Sequence, residues 1–139
     1  KIIHVRRDAR AVCWSNYRHH FTARNMGYSN DLGDTVAYFK LYEELMMAWE
    51  RNWSTRIHHL DYEAFCSNPD VGIKSLLAHL GLPLDPACLT PERNSRLVQT
   101  ASRHQVRKAI YKDSSEQWRG FESFIGDAFK DLRGPIQPG

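Results

Sequence analysis

Two residues near the start of the chain have the types needed to hold one phosphate group. Arg7 follows a short apolar run, and Ser15 comes eight positions later. An arginine fork makes charge-assisted bonds to an anionic oxygen, and a serine hydroxyl adds a neutral one. The flanking sequence says how they are positioned. Lys1 to Val5 (KIIHV) has the pattern of a buried strand. Arg6, Arg7 and Asp8 form a basic turn. From Ala9 there is no Pro or Gly until Gly27, and Val12, Cys13, Asn16 and Tyr17 recur at helical spacing. The predicted unit is strand, turn, helix. In open α/β sheets ligands collect at the carboxyl ends of strands, and the following helix N-terminus favours anions. The plainer alternative is that the two arginines are a solvated face and Ser15 an ordinary helical residue.

A second segment, Thr100 to Tyr111 (TASRHQVRKAIY), sets Arg103, Arg107 and Lys108 beside Ser102, Gln105 and Tyr111. Its plain alternative is an exposed basic turn. Metal chemistry is not indicated. His19-His20 and His58-His59 are adjacent pairs whose side chains diverge on a helix or a strand. Cys13, Cys66 and Cys88 show no CxxC spacing and read as reduced core thiols.

The elements that must position these groups follow in order. Thr22 to Gly33 reads as a loop over the site. Asp34 or Thr35 is expected to cap a helix running to about Trp53. Tyr38, Leu41, Tyr42, Leu45, Met46, Trp49 and Trp53 form one stripe of that helix and are expected to pack in the core. Arg56 to Leu60 is a second strand, leading into Asp61-Tyr62-Glu63. Ser67-Asn68-Pro69-Asp70 starts a helix with Ile73, Leu76, Leu77 and Leu80 as its buried stripe and Gly81 as its left-handed stop. Pro86 to Leu89 is one more turn, and Thr90 to Arg96 a loop. Ser114 or Ser115 opens a terminal helix that docks through Trp118, Phe121, Phe124, Ile125, Ala128 and Leu132. Gly134 to Gly139 is a frayed tail.

Composition bounds the rest. The chain has 139 residues, 42% hydrophobic and 25% charged, which suits one domain with a moderate core. A net charge of +3 fits a small anionic ligand and falls short of a dedicated nucleic-acid binder. No run approaches the ~20 apolar residues of a membrane span. No signal peptide is visible, so a cytoplasmic location with no membrane and no nucleic-acid partner is expected; an upstream targeting segment stays open.

The chain resembles the sulfotransferases that use 3′-phosphoadenosine 5′-phosphosulfate (PAPS). Four blocks carry the resemblance in order: the strand-turn-helix segment with Arg7 and Ser15; the tyrosine-acid motif at Asp61-Tyr62-Glu63; the capped helix ending in Leu80-Gly81-Leu82-Pro83; and the stretch from Thr100 to Glu122. The match is nearest the tyrosylprotein sulfotransferases and the bacterial enzymes associated with tetratricopeptide repeats. It implies an α/β fold, the C-terminal part of a P-loop-type sulfotransferase with a parallel sheet and flanking helices, helix-dominated in this portion. It makes residues 1–133 one portion of a domain and 134–139 a flexible tail. Arg7 and Ser15 would bind the 3′-phosphate, with Arg18 or His19 as helper, and Tyr62 would contact the adenine. Ser102, the one catalytic candidate, would lie near the transferring sulfate. With Arg103, Gln105, Arg107, Lys108 and Tyr111 it would fold over the nucleotide. The implied donor is PAPS and the product 3′-phosphoadenosine 5′-phosphate (PAP), with a hydroxyl or phenol acceptor and no metal.

Three departures bear on this reading. Ala9 stands where relatives tend to carry Pro, and Gln117 where they are commonly basic, so one cation near the donor is either lost or replaced by Arg119. No Gly- and Ser/Thr-rich loop for the 5′-phosphosulfate is found in the sequence, and the general base of the family lies upstream of the matching segment; Glu43 and Glu63 read as surface or structural carboxylates. The sequence is therefore expected to be the C-terminal half of such an enzyme, with self-association through the surface its other half would cover. Two other classes stay open: a non-catalytic nucleotide-binding or interaction module derived from the same fold, and a helical nucleic-acid or scaffold protein using its arginine-rich turns.

Overall fold

The β-branched run at the start forms strand β1 (Ile2–Arg6), and its partner β2 (Ile57–Asp61) lies parallel to it, with Ile2 opposite Ile57 and Arg6 opposite Asp61. The computed structural model describes residues 1–23, 25–93 and 113–132. Between the strands come helices α1 (Ala9–Arg18) and α2 (Leu32–Trp53). After β2 come α3 (Tyr62–Ser67) and α4 (Pro69–Leu80), then short 3-10 turns, and finally α5 (Glu122–Phe129). A parallel pair joined through helices is an α/β arrangement, with helix dominating. Among the described residues no helix is long and apolar enough to cross a membrane.

Local chemistry accounts for the starts of α1 to α4. The Asp8 carboxylate accepts the Ala11 backbone N–H at 2.9 Å and begins α1. Asp31 does the same for Asp34 at 2.9 Å, so α2 starts three residues earlier than a cap at Asp34 or Thr35 would place it. The Thr35 hydroxyl is instead buried and donates to the carbonyls of Tyr28 and Asp31. Asp61 caps α3, a helix the sequence reading left out. Pro69 occupies the first turn of α4. Gly81 ends α4 at φ +73°, a left-handed conformation that costs a Cβ-bearing residue about 1–2 kcal/mol.

The core is formed by α1, the first turns of α2 and the C-terminal segment. Ala11, Cys13 and Trp14 of α1 pack with Val36 of α2 and with Trp118, Ile125, Phe129 and Leu132. A smaller group, Ile57, Cys66 and Ile73, sits under β2, α3 and α4.

Three expectations about the core are corrected. The α2 stripe is largely exposed, with Leu41 61% accessible and Tyr38, Leu45, Trp49 and Trp53 also open. Helices α1 and α5 pack on α2 around Leu32, Val36 and Phe39, and Tyr42 and Glu50 further along face the strands, while Leu41, Leu45 and Trp53 stay open. Strand β1 is open rather than buried, Val5 being 51% exposed. A parallel sheet needs cover on both faces, and two strands do not provide it. The terminal helix begins at Glu122 and not at Ser114 or Ser115, which lie in a 3-10 turn (Asp113–Ser115). Its docking face is Ile125, Phe129 and the adjoining Trp118 and Leu132, while Phe124 is 86% exposed.

Candidate functional site at the strand ends

Parallel pairing sets the carboxyl ends of β1 and β2 side by side. The last register pair is Arg6 and Asp61, and the residues directly after the two strands are Arg7 and Tyr62. The Arg7 guanidinium lies over the Tyr62 ring, 4.9 Å from its centre. Its Nε donates to Ser115 Oγ at 3.0 Å and its Nη2 to the Ser114 carbonyl at 2.7 Å. The Tyr62 hydroxyl is 3.0 Å from Ser114 Oγ. Burial, above all, raises the Tyr62 phenol, with the neighbouring Ser114 bond and Arg7 acting the other way. At neutral pH Tyr62 is therefore protonated, able to donate to Ser114 Oγ or accept from it.

A carboxylate closes the network. Glu63 Oε1 accepts the Ser115 hydroxyl at 2.5 Å and the Asp8 backbone N–H at 3.2 Å. Asp8, Glu63, Arg7, Tyr62, Ser114 and Ser115 thus tie both strand ends, two helix starts and the C-terminal segment together. This is the structural use expected of Glu63.

The other candidates lie around this knot. Ser15 is on the exposed side of α1. It is seven residues beyond Asp8, close to two full turns and about 10 Å along the axis, so it lies on the same side of the helix as the cap. The Arg7 fork turns to Ser114 and Ser115 rather than towards Ser15. Arg18 donates to Gln117 Oε1 at 3.3 Å and lies over Trp14. Position 117 therefore has a cation beside it, supplied by α1. Arg119 is engaged elsewhere, with Glu116 and over Trp118. His19 is exposed, just past the end of α1, with its ring against Phe21 at 4.5 Å. Ser102, Arg103, Gln105, Arg107, Lys108 and Tyr111 lie outside the described residues.

Sequence reasoning missed the clamp role of Ser114 and Ser115, because a Ser pair before an apolar stripe reads as a helix cap. No local signal distinguishes a cap from a contact made across the fold. Beside the knot, a groove of about 860 Å³ runs between β1 and α2, its walls including Arg7, Asn16, Tyr38 and Tyr42. The stretch expected as a loop from Thr22 to Gly33 instead holds a 3-10 turn (Gly27–Asn30) and runs into α2 at Leu32; Tyr28 of that turn reaches the groove, its ring stacked on Tyr38 at 4.0 Å.

Comparison with known proteins points one way. A family model described as "Sulfotransferase family" matches residues 1–86. An uncharacterized protein of Aquifex aeolicus (strain VF5) is 33% identical over 144 residues; the alignment takes in 97% of this chain and 19% of that protein. The chain thus spans about a fifth of the length of this relative. No solved structure matches.

Proposed function

Because the chain belongs to the sulfotransferase family, we propose that it is the portion of a PAPS-dependent enzyme that binds the 3′-phosphoadenosine end of the donor. The observation that carries this reading is the pairing of Arg7 and Tyr62 at the carboxyl ends of two parallel strands. A guanidinium there offers charge-assisted bonds to a phosphate, and a phenol offers a flat face to a purine. Ser15, on the exposed side of α1, adds a hydroxyl, and Arg18, set beside Gln117, adds charge one turn on. The knot of Glu63, Ser114 and Ser115 holds Arg7 at the strand ends, which lowers the entropy cost of binding an anion there.

In the reaction proposed, a sulfuryl group passes in line from PAPS to a hydroxyl or phenol. A base removes the acceptor proton, and positive charge with hydrogen-bond donors stabilises the transferring oxygens. This chain's part is to bind and orient the nucleotide, with Ser102 the candidate near the sulfate and the stretch from Ser102 to Tyr111 the candidate to fold over the nucleotide. The phosphosulfate loop of a P-loop-type fold and the general base would come from elsewhere in the enzyme. The finer kinship, to the tyrosylprotein and repeat-associated bacterial branches, rests on the quoted motifs.

A second reading, a nucleotide-binding or interaction module without turnover, is favoured by one observation: Arg7 and Tyr62 are already engaged with each other and with Ser114 and Ser115.

Calorimetric titration with PAP and with adenosine 5′-phosphate tests the site. PAP is expected to bind more tightly, and Ser15→Ala to weaken it about tenfold or more, since a hydroxyl bond to a charged phosphate is worth about 1.5–3 kcal/mol. Arg7→Lys, which keeps the charge and loses the fork, is expected to cost roughly tenfold or more. Equal affinity for the two nucleotides in a folded sample would refute the placement of the 3′-phosphate. PAP binding without sulfuryl transfer, once the segments that supply the loop and the base are present, would favour the second reading.

A further inference from the structure

His4 and His59 are register partners on β1 and β2, and their Nδ1 atoms are 2.9 Å apart. The outer nitrogen of each ring goes to α2. His4 Nε2 meets the Tyr42 hydroxyl, and His59 Nε2 is 2.7 Å from Glu50 Oε2. Tyr42 and Glu50 are eight residues apart on α2, about two turns. The four side chains form one continuous path, Tyr42–His4–His59–Glu50, which leaves α2, crosses both strands and returns to α2.

Counting protons along the path limits its states. The line between two Nδ1 atoms has room for one hydrogen. With both rings neutral, Tyr42 donates to His4, His4 to His59, and His59 to the Glu50 carboxylate. With one proton added, His59 donates at both ends, to Glu50 and to His4, and His4 donates to the phenol oxygen. Both arrangements place one hydrogen in every contact of the path; in the second the Tyr42 proton turns out of it. A second added proton leaves two N–H groups facing each other, no acceptor between them, and two positive rings with centres 5.0 Å apart.

We propose that His4 and His59 form a one-proton latch that clamps α2 onto both strands and opens when both rings become charged. The groups facing it set the threshold. From α2 come the negative Glu50 and, near Tyr42, Glu43; from β1 comes the positive Arg6. On β2 the neighbouring His58 points to the opposite face, where it stacks on His79 of α4 at 5.0 Å. His4 is held below the usual histidine range, first by burial, then by His59 and Arg6, with Glu50 opposing. A histidine depressed in the closed form gives stability that is full above its ordinary value and is lost as pH falls below it. Because α2 is one wall of the groove, opening the latch loosens that wall. The device does not depend on which ligand the groove takes.

Hydrogen exchange on the full 139-residue chain between pH 7.5 and 5, corrected for intrinsic rates, reads the opening of α2, with α5, which carries no histidine, as internal control. Where the open form binds one proton more than the closed form, the opening constant of α2 amides rises about tenfold per pH unit, and such a rise is expected as pH falls below the ordinary histidine range. In His59→Gln and His4→Gln, each left with one titrating ring in the path, the rise is expected to vanish. An unchanged pH slope in both variants would overturn the latch. So would ring-labelled NMR of the unsubstituted chain showing both imidazoliums while α2 protection is intact, a readout that serves even where the variants do not fold.

Discussion

The knot at the strand ends can be tested by a double-mutant cycle on Glu63 and Ser115. Ser115 and Asp8 are buried, and Glu63 Oε1 is the acceptor for both the Ser115 hydroxyl and the Asp8 N–H. Glu63→Ala strips two donors of a charged partner. Hydrogen bonds to charged groups are worth about 1.5–3 kcal/mol each, and a stranded buried donor costs ~1–3 kcal/mol. Glu63 is itself only half buried, so water recovers part of this, and a total loss of about 2–4 kcal/mol is expected. Ser115→Ala removes the shared hydroxyl and leaves Arg7 Nε without its acceptor, for a loss of about 1–3 kcal/mol. Since one bond is common to both substitutions, the double variant should be less destabilised than the sum, with a coupling of about 1–2 kcal/mol. Urea denaturation of the four proteins at pH 7 measures it. Additivity within about 0.5 kcal/mol would show that Glu63 and Ser115 act independently, and the account of the knot would fail. Glu63→Gln keeps an acceptor oxygen and is expected to lose roughly half as much as Glu63→Ala.

Further outcomes follow from the same geometry. Phe129→Ala, at a side chain 2% exposed, should cost about 3–5 kcal/mol, whereas Phe124→Ser should stay within about 0.5 kcal/mol; denaturant midpoints would reveal a reversed order. Gly81→Ala should cost about 1–2 kcal/mol at its φ of +73°, and Gly81→Asn less, measured by the same assay. Burial, chiefly, pushes the Cys13 thiol up to about 12, with Glu43 and Asp8 adding to the effect. Cys13 should therefore resist alkylation at pH 8 in the folded chain and react once urea unfolds it, as peptide mass spectrometry would show.

Much of the local structure was legible because it rests on neighbours in sequence. The β-branched run at Ile2 to Val5, Pro69 in the first turn of α4 and Gly81 at its end act within a few residues, and each was read within a residue or so of its observed place. The divergence of His58 and His59 follows from strand alternation alone, and the two do face α4 and α2. What was misread concerns the fate of a face. The α2 stripe and the α5 stripe have the periodicity of buried surfaces, yet Tyr38 and Leu41 are open and Phe124 points to solvent, while Phe129, left out of the stripe, is buried. Periodicity reports that a helix has an apolar side, and not what lies against it.

The candidate site divides the same way. Arg7 was picked from its type and its place after a strand, whereas Tyr62 was picked through the resemblance of its tyrosine-acid motif to the family. Their partners were not legible. Ser114 and Ser115 are more than a hundred residues from Arg7, and only the docking of Trp118 and Phe129 on α1 brings them to it. The path from Tyr42 through His4 and His59 to Glu50 also exists only because two parallel strands share a register under one helix. The sequence by itself determined the segments and the groups able to do chemistry, because short-range sterics and capping act along the chain. The tertiary structure alone decided which groups meet, because contacts between distant residues depend on how whole faces pack.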